Sequence, residues 1–497
     1  MNDAVGGMGG HPQARTPNID KLMSRGTRFT NGQVNVPICG PSRASCLSGI
    51  APWTSGYFGY NFCRDPWWNN PILGESRTFM EHLGTNGYEV YGTGKIFHNH
   101  QENMEVWTHG HGHEVDWGPW SWDGQKPGTS WGSCVSHHSL PPHWDAELLI
   151  ASLDDLPNIP PDPETGAPGY KGWRHGDGRP FKYNGPDDRD LMNDELNAQW
   201  AAEVLAQSHA DPFLLCVGIG RPHAPLVAPK EYFDMFPLED IQLAECLPGD
   251  LDDCAQYFRD GRNFTGGWGF RKYRCYLDSG GEAMLKRWVQ AYFACITYAD
   301  AQIGKVLDAL AASEHADDTV VFFTSDNGYH MGEKEYLFKD SPWEESNRVP
   351  YVWAGPGVAE GQECRVPVSL LDVFPTLCDL ADVEPNPNEG SNGLPLEGNS
   401  IVPLLTSPDG SDWTGPRHAL SAVASDTPLD AGTPGDPEDQ FYSLRTETHR
   451  FILCPNGETE LYDHRSDPME WHNLAGKPEH DGLKDELTAI IREAIRT

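Results

Sequence analysis

The chain has 497 residues, which is long enough for one large domain and a second, smaller one. Its formal net charge is −37, from 36 basic and 73 acidic residues, and this balance argues against a nucleic-acid partner. No apolar run approaches the ~20 residues that a membrane-spanning helix needs, so we expect no membrane span.

The hydrophobic pattern predicts helices that alternate with short buried strands. Apolar residues at helical spacing predict helices at three places: 17–25, 76–86 and 283–312. Short, nearly continuous apolar runs predict strands at four places: 88–93, 213–219, 319–324 and 349–353. Buried strands between helices are typical of an α/β protein whose parallel or mixed sheet is covered on both faces.

Two stretches lack this alternation. Residues 107–190 are rich in Trp, Gly, Pro, His and Asp, which predicts long loops near the mouth of a site. Residues 385–412 are rich in Pro, Gly, Asn and Ser. Four short strand-like runs and a final helix follow them, at 418–423, 441–444, 450–454, 458–462 and 482–495. We therefore expect a main domain over 1–410 and a smaller α+β C-terminal subdomain over 411–497.

The chain has 12 cysteines, and their spacing shows no zinc-binding pattern. Cys246 could pair with Cys254, and Cys364 with Cys378, but the sequence alone leaves the pairing open. Free thiols of a cytosolic protein are the alternative.

The first candidate site is the stretch Cys39-Gly-Pro-Ser-Arg43. Val34–Ile38 is strand-like and Pro41 suits the first turn of a helix, so Cys39 is expected at a helix N-terminus. Free N–H groups favour an anion there, and Arg43 adds a cationic fork for one. Cys39 could then be a thiol nucleophile of lowered pKa, although an isolated cysteine before a helix is more often buried and inert.

Two further candidates follow predicted strands. Lys95 and His98 come just after the strand at 88–93, and His223 lies between two prolines just after the strand at 213–219. Functional residues of α/β proteins gather beyond strand ends. The plain alternative is a surface lysine and two loop histidines.

The last candidate is Asp326-Asn327, directly after the strand at 319–324, with Lys339 thirteen residues past Asp326. Carboxylate and amide oxygens are ligands suited to Ca²⁺ or Mg²⁺. Taken alone, an Asp-Asn-Gly sequence is more often a turn.

Together these motifs resemble the type I, formylglycine-dependent sulfatases. Cys39-x-Pro-Ser-Arg43 followed by Leu47-Ser48-Gly49 resembles the family signature, although Ile50 stands where the family usually has Arg. The three-residue gap between Lys95 and His98 resembles the iduronate-2-sulfatase branch. Two more stretches resemble the family, at 9–20 and 460–474, so the resemblance covers nearly the whole chain.

The resemblance implies an alkaline-phosphatase-like sandwich, with a central mixed sheet flanked by helices. It also implies a role for each motif residue. Cys39 is the precursor of formylglycine, and the sulfate is held by Arg43, Lys95 and Lys339. His98 assists collapse of the sulfated intermediate, and His223 protonates the leaving alcohol. Asp326 and Asn327 bind the cation, which is calcium in most of the family, with magnesium as the alternative.

One departure concerns that cation. In the family, a buried N-terminal strand ends in an Asp-Asp pair that also binds it. The residues that normally follow the pair are Met1-Asn2-Asp3 here, so the first strand and its pair are absent from this sequence and Asp3 is not at a ligand position. A mis-called start codon or a trimmed chain is the simplest explanation. For the chain as written we expect weak cation binding and weak activity.

The implied function is hydrolysis of sulfate esters on sulfated sugars, in a polysaccharide or glycosaminoglycan fragment. Its partners would be the sulfated carbohydrate and a formylglycine-generating or anaerobic sulfatase-maturing enzyme. Two alternatives stand beside it: a phosphomonoester or phosphonate hydrolase of the same superfamily, and a non-catalytic sulfated-glycan-binding protein. We expect a periplasmic or extracellular protein if the natural N-terminus carries an export signal, and a cytoplasmic one otherwise.

Five tryptophans in the loop-rich stretch could stack on sugar rings, although core packing is the commoner role for any one of them. They are Trp107, Trp117, Trp120, Trp122 and Trp131.

Overall fold

The computed structural model describes residues 1–59, 67–98, 104–121, 149–156, 172–260, 267–389, 391–425 and 434–496. Its α-helices are α1 Pro17–Ser24, α2 Cys39–Ser48, α3 Pro52–Ser55, α4 Phe79–Thr85, α5 Asn193–Leu205, α6 Lys230–Asp234, α7 Gln256–Arg259, α8 Gly267–Gly280, α9 Glu282–Ala312, α10 Glu344–Asn347, α11 Val373–Leu380, α12 Val402–Thr406 and α13 Asp481–Ala494. Its strands are β1 Thr27–Phe29, β2 Gly32–Gln33, β3 Glu89–Gly94, β4 Gly110–His111, β5 Trp120–Ser121, β6 Ile150–Ser152, β7 Trp173–Arg174, β8 Tyr183–Gly185, β9 Asp188–Arg189, β10 Phe213–Gly218, β11 Leu226–Ala228, β12 Val321–Thr324, β13 His330–Met331, β14 Leu337–Phe338, β15 Tyr351–Ala354, β16 Gln362–Cys364, β17 Val368–Ser369, β18 His418–Val423, β19 Phe441–Thr446, β20 His449–Leu453 and β21 Thr459–Asp463.

The main domain is built on two pieces of sheet, with strand orders β12-β15-β1-β16 and β10-β3-β4. β10 pairs with β3 in parallel, while β15 runs antiparallel to both β12 and β1, so the strands are mixed as predicted. Helix α9 and helix α1 pack on one face, where Ile303 and Leu307 meet Val321 and Phe323. Apart from the segment 34–38, the predicted helices and strands of this domain are confirmed to within two residues at their ends, except that α4 begins three residues later than predicted.

A cavity separates the two pieces of sheet. Among the described residues, β10 and β12 each pair with a single strand, and both border this cavity of about 1080 Å³. Helix α9 lines it on one side and helices α4 and α11 line it on the other. Residues of β10 and β12 are therefore only half-buried, although strands in the middle of such a sandwich are normally covered. Met1 and Asp326 also line the cavity.

The prediction of a strand over Val34–Ile38 is wrong. The segment follows β2 as a series of bends, in which Val34 N donates to Asn347 O at 2.9 Å and Ile38 N donates to Val36 O at 2.7 Å. These residues are apolar because they are buried, and an apolar run alone does not distinguish a buried strand from a buried irregular segment.

The C-terminal strands form an antiparallel sheet with the order β18-β19-β20-β21. Helix α13 packs on it through Leu487 and Ile491, which are both buried. Ala422 N of β18 donates to Asn35 O at 2.8 Å, so the sheet also braces the segment that leads to Cys39. No helix in the described part of the chain is both long and apolar enough to cross a membrane. None of the ten cysteines that the structure describes forms a disulfide, so the bridges Cys246–Cys254 and Cys364–Cys378 are not present.

A buried ion-pair network joins this sheet to the main domain. Glu344, Glu470 and His464 place ligand atoms within 4.8 Å of one another, a grouping that could hold a metal ion. Both carboxylates already form ion pairs with arginines. Arg450 pairs with Glu344 and also with Glu470, the latter at 2.7 Å. Arg445 lies 3.3 Å from Glu344. We therefore assign the group a structural role.

Replacing Arg450 by Met should lower the free energy of unfolding by about 3–5 kcal/mol, because it removes the one guanidinium that pairs with both buried carboxylates. Chemical denaturation measures this loss. Arg465→Met is the control, because Arg465 forms an exposed pair with Asp463 and should shift the midpoint far less. Equal shifts for the two variants would contradict a structural role for the network.

Candidate active site

Cys39 is the first residue of α2 and is fully buried. Its Sγ atom lies 2.8 Å from Lys339 Nζ. Although burial opposes ionisation, Lys339 and Lys95 lower the pKa of the Cys39 thiol well below its ordinary value, helped by hydrogen bonds to His223 and His98. The helix N-terminus favours negative charge at the same atom. The position is therefore built to hold an anion.

Lys95 reaches Cys39 from the end of β3. The strand ends at Gly94, whose φ is 74° and where a Cβ would lie 2.0 Å from Gly218 O, so the turn into Lys95 requires glycine. Lys95 is 3 % exposed, and its Nζ lies 3.2 Å from Asp326 Oδ2. Burial lowers the pKa of Lys95, and the charges of Asp326 and Cys39 oppose that shift. His98 follows on the same turn, is buried, and has a pKa lowered mainly by that burial.

Lys339 is directed at Cys39 by an unusual backbone. Its neighbours Phe338 and Asp340 have φ values of 73° and 71°, a region that residues other than glycine seldom adopt. The surroundings hold this conformation: Asp340 N donates to Pro37 O at 3.0 Å, and Tyr336 Oη donates to Lys339 O at 3.2 Å. Strained backbone of this kind is found most often at functional sites.

His223 completes the ring of groups around Cys39. Its Nδ1 lies 2.7 Å from Ala224 O, and a carbonyl can only accept, so Nδ1 carries the proton and Nε2 faces Cys39. Burial, followed by the charges of Lys339 and Lys95, lowers the pKa of His223 to about 3. Its imidazole is therefore neutral near pH 7.

Asp326 and Asn327 follow β12, as predicted, and the Asp326 carboxylate contacts Lys95. Arg43 Nε donates to Asp326 Oδ2 at 2.8 Å. Burial would raise the pKa of Asp326, but Arg43, Lys95 and Lys339 hold it well below its ordinary value. Asn327 Nδ2 donates to Gly328 O at 2.7 Å. Arg43 thus contacts the predicted metal ligand rather than Cys39.

The part of the site around Asp326 and Asn327 provides some, but not all, of the oxygen ligands that a hard cation needs. Calcium takes 6–8 oxygen ligands, of which Asp326 and Asn327 can supply a few. Asp3 is not among them, because its carboxylate pairs with Arg348. The backbone nitrogen of Met1 lies beside this part of the site, 2.7 Å from Ser325 Oγ and 3.1 Å from Asn327 O.

The structure thus brings all eight predicted side chains into one buried site, and three residues that were not among the predicted site residues adjoin them. Asp340 adjoins Lys339, and burial raises the pKa of its carboxyl to about 7. Trp117 packs on His223 and Lys95, and Arg221 hydrogen-bonds the backbone of Trp117. Trp107 and Trp120 are buried like Trp117, while Trp122 and Trp131 lie outside the described residues. For these three residues the sequence offered one indication of a place in the site: Arg221 lies two positions before His223.

A buried anion position at a helix N-terminus, surrounded by two lysines and two histidines, defines a hydrolase of tetrahedral oxoanion esters. The chain belongs to the sulfatase family: the family model described as Sulfatase matches residues 2–383, and the model described as N-sulphoglucosamine sulphohydrolase, C-terminal, matches residues 332–497. It is a sulfuric ester hydrolase. The family typically uses formylglycine and a divalent metal ion.

Known proteins similar to this chain agree with that assignment. A sulfatase of Formosa agariphila is 27% identical over 506 residues, covering 100% of this chain and 85% of its own length. Iduronate 2-sulfatase of Mus musculus is 26% identical and covers 96% of this chain and 90% of its own length. The solved structure of BT1596, a 2-O GAG sulfatase, has a TM-score of 0.67 at 20% identity and covers 100% of this chain and 90% of its own.

A phosphonate monoester hydrolase from Silicibacter pomeroyi has a TM-score of 0.68 at 20% identity, covering 100% of this chain and 93% of its own. These structural likenesses confirm the alkaline-phosphatase-like fold. The iduronate-2-sulfatase branch is not confirmed, because other sulfatases are equally similar to the chain.

Proposed function

We propose that the site hydrolyses sulfate esters of sugars on a formylglycine made from Cys39, beside a calcium or magnesium ion held by Asp326 and Asn327. The contact between Cys39 Sγ and Lys339 Nζ supports this most directly, because it places an anion-binding lysine 2.8 Å from the reacting position. Sulfated sugars are favoured because two similar proteins are, by name, a 2-O GAG sulfatase and an iduronate 2-sulfatase.

The site residues suit that chemistry. Formylglycine supplies an oxygen nucleophile at the position that Cys39 Sγ occupies in this structure. Lys339, Lys95 and Arg43 provide cations that hold sulfate oxygens and offset the charge that develops on them. His223 Nε2 faces the same position; once a bound sulfate ester has raised the pKa of His223 and Nε2 has taken up a proton, it can pass that proton to the leaving alcohol, while His98 is placed to help release sulfate.

The domain limits remain those expected from the sequence. We infer a catalytic domain over 1–410, because no site residue lies beyond Asp340, and a C-terminal subdomain over 411–497, whose sheet begins at His418. The cavity between β10 and β12 also supports the expectation that this domain takes one more strand, which would lead into Met1.

Paired aryl sulfate and aryl phosphate substrates test the function. We expect kcat/KM for the sulfate to exceed that for the phosphate and for a matched phosphonate monoester, after coexpression with a formylglycine-generating enzyme. Preference for the phosphorus esters would support the phosphonate hydrolase alternative. Tight binding of sulfated oligosaccharides without turnover of any ester would support the glycan-binding alternative.

Sulfate binding should be coupled to proton uptake. His223 is neutral in the empty site because its pKa is lowered to about 3, and an adjacent sulfate anion raises that pKa. We therefore expect sulfate affinity to fall as pH rises from 5 to 8, by as much as about tenfold per pH unit. Calorimetry of the Cys39→Ala chain, in buffers of different ionisation enthalpy, would count the protons taken up. His223→Gln should abolish the uptake, and uptake that persists unchanged in this variant would exclude His223 as its source.

A further inference from the structure

The site contains an aromatic ring that belongs to none of the predicted motifs. Trp117 is 5 % exposed, and its ring centroid lies 4.2 Å from that of His223. Lys95 Nζ lies 4.7 Å from the centre of the same indole ring. One side chain therefore contacts both a sulfate-holding cation and the proton donor. An indole face attracts a nearby ammonium more strongly than a phenyl or phenol ring does.

Arg221 fixes the backbone that carries this ring. Its Nη2 donates to Trp117 O at 3.1 Å and to Gly118 O at 2.9 Å, while its Nε donates to Val227 O at 2.8 Å. The planar guanidinium spans two separate segments in a way that a lysine ammonium cannot reproduce. Arg221 also belongs to the loop that carries His223, so the loop positions both the histidine and the ring against it.

Asp194 anchors that loop from the first turn of α5. Its buried carboxylate accepts the backbone N–H of Gly220 at 2.6 Å and that of Arg221 at 3.0 Å. Asp194 thus holds the backbone of Arg221, and the guanidinium donates its three hydrogen bonds to backbone carbonyls rather than to the anion position at Cys39. Its contacts suit a supporting role rather than direct sulfate binding.

We propose that Trp117, held by Arg221, is a positioning residue for ester hydrolysis, whose ring keeps the Lys95 ammonium and the His223 imidazole directed at residue 39. This inference rests on the proposed function. A half-turn of the His223 ring would break the bond from Nδ1 to Ala224 O and move Nε2, the nitrogen that takes up a proton when sulfate binds, away from residue 39. Packing of the indole at 4.2 Å opposes that rotation, and the bond from Nδ1 to Ala224 O stabilises the same orientation.

Steady-state kinetics of Trp117→Leu and Trp117→Phe test the proposal. Loss of the ring should lower kcat about 10- to 100-fold with little change in KM, since small misplacements of catalytic groups cost up to about 100-fold. Trp117→Phe keeps an aromatic face and should retain most of the rate. Arg221→Lys should resemble Trp117→Leu. Trp200→Leu, which removes a tryptophan that packs near Tyr91 outside the site, should leave kcat unchanged.

A second readout does not depend on turnover. In ¹⁵N-histidine-labelled protein, the ring nitrogens of His223, assigned with His223→Gln, should show a protonated Nδ1 in the wild-type chain. Trp117→Leu should give a mixture of tautomers and a His223 pKa closer to its ordinary value. If the variant changes these spectra while no chain hydrolyses sulfate esters, the positioning role stands and the proposed function fails. If the wild type hydrolyses them, and Trp117→Leu matches it in kcat, pH profile and spectra, the positioning role is wrong.

Discussion

Replacing Cys39 by Ala should abolish sulfate-ester hydrolysis, with a loss in kcat of about 10⁴-fold or more, as expected when a nucleophile is removed. The variant loses the side chain that Lys339, Lys95, His98 and His223 jointly surround. Hydrolysis of an aryl sulfate by the matured chain, with thermal unfolding as a check of folding, measures the effect.

The matched control is Cys46→Ala, seven residues further along the same helix. Burial raises the pKa of Cys46 to about 12, so its thiol is neutral and unreactive at any ordinary pH. We expect this variant to keep its activity. If Cys39→Ala retained activity comparable to that of Cys46→Ala, the chemistry would not depend on Cys39.

Joining an extended apolar strand that ends in Asp-Asp in front of Met1 should strengthen calcium binding by about 100-fold, or about 2.7 kcal/mol. The strand would lie in the cavity between β10 and β12, pairing with the edges of both. The added carboxylates would then precede Met1, whose nitrogen is 2.7 Å from Ser325 Oγ beside Asp326. Calcium titration by calorimetry, together with thermal unfolding with and without calcium, measures both effects.

The same strand ending in Asn-Asn separates the two contributions. It should fill the cavity and raise the unfolding temperature, yet add little calcium dependence, because neutral amides bind the ion more weakly than carboxylates do. If neither extension altered stability, the cavity would not be a strand site. If both altered calcium affinity equally, the carboxylates would not be ligands.

Much of this site was predictable because each motif follows a strand or begins a helix. Periodicity located β3, β10 and β12, and in an α/β sheet the residues just beyond such strands gather at one edge. The family signature then assigned roles to residues as distant as Cys39 and Lys339, which are 300 positions apart. Periodicity alone could not have brought those two side chains together.

What could not be predicted depends on three-dimensional packing. The left-handed backbone at Phe338 is imposed by surrounding contacts, since phenylalanine does not favour that conformation intrinsically. Trp117 belongs to a stretch without hydrophobic periodicity, so the spacing of residues in the sequence could not predict its contact with His223. The strand predicted over Val34–Ile38 was wrong for a related reason: these residues are apolar because they are buried, and a buried irregular segment has the same apolar pattern as a strand.

The central claim is that Cys39 acts after conversion to formylglycine. Coexpression with graded amounts of a formylglycine-generating enzyme would yield preparations with different converted fractions, each quantified by mass spectrometry of the Cys39 peptide, which loses about 18 Da on conversion. Aryl sulfate turnover per mole of chain should rise in proportion to the converted fraction and extrapolate to zero for unmodified Cys39. Equal turnover by converted and unconverted chains would contradict the account.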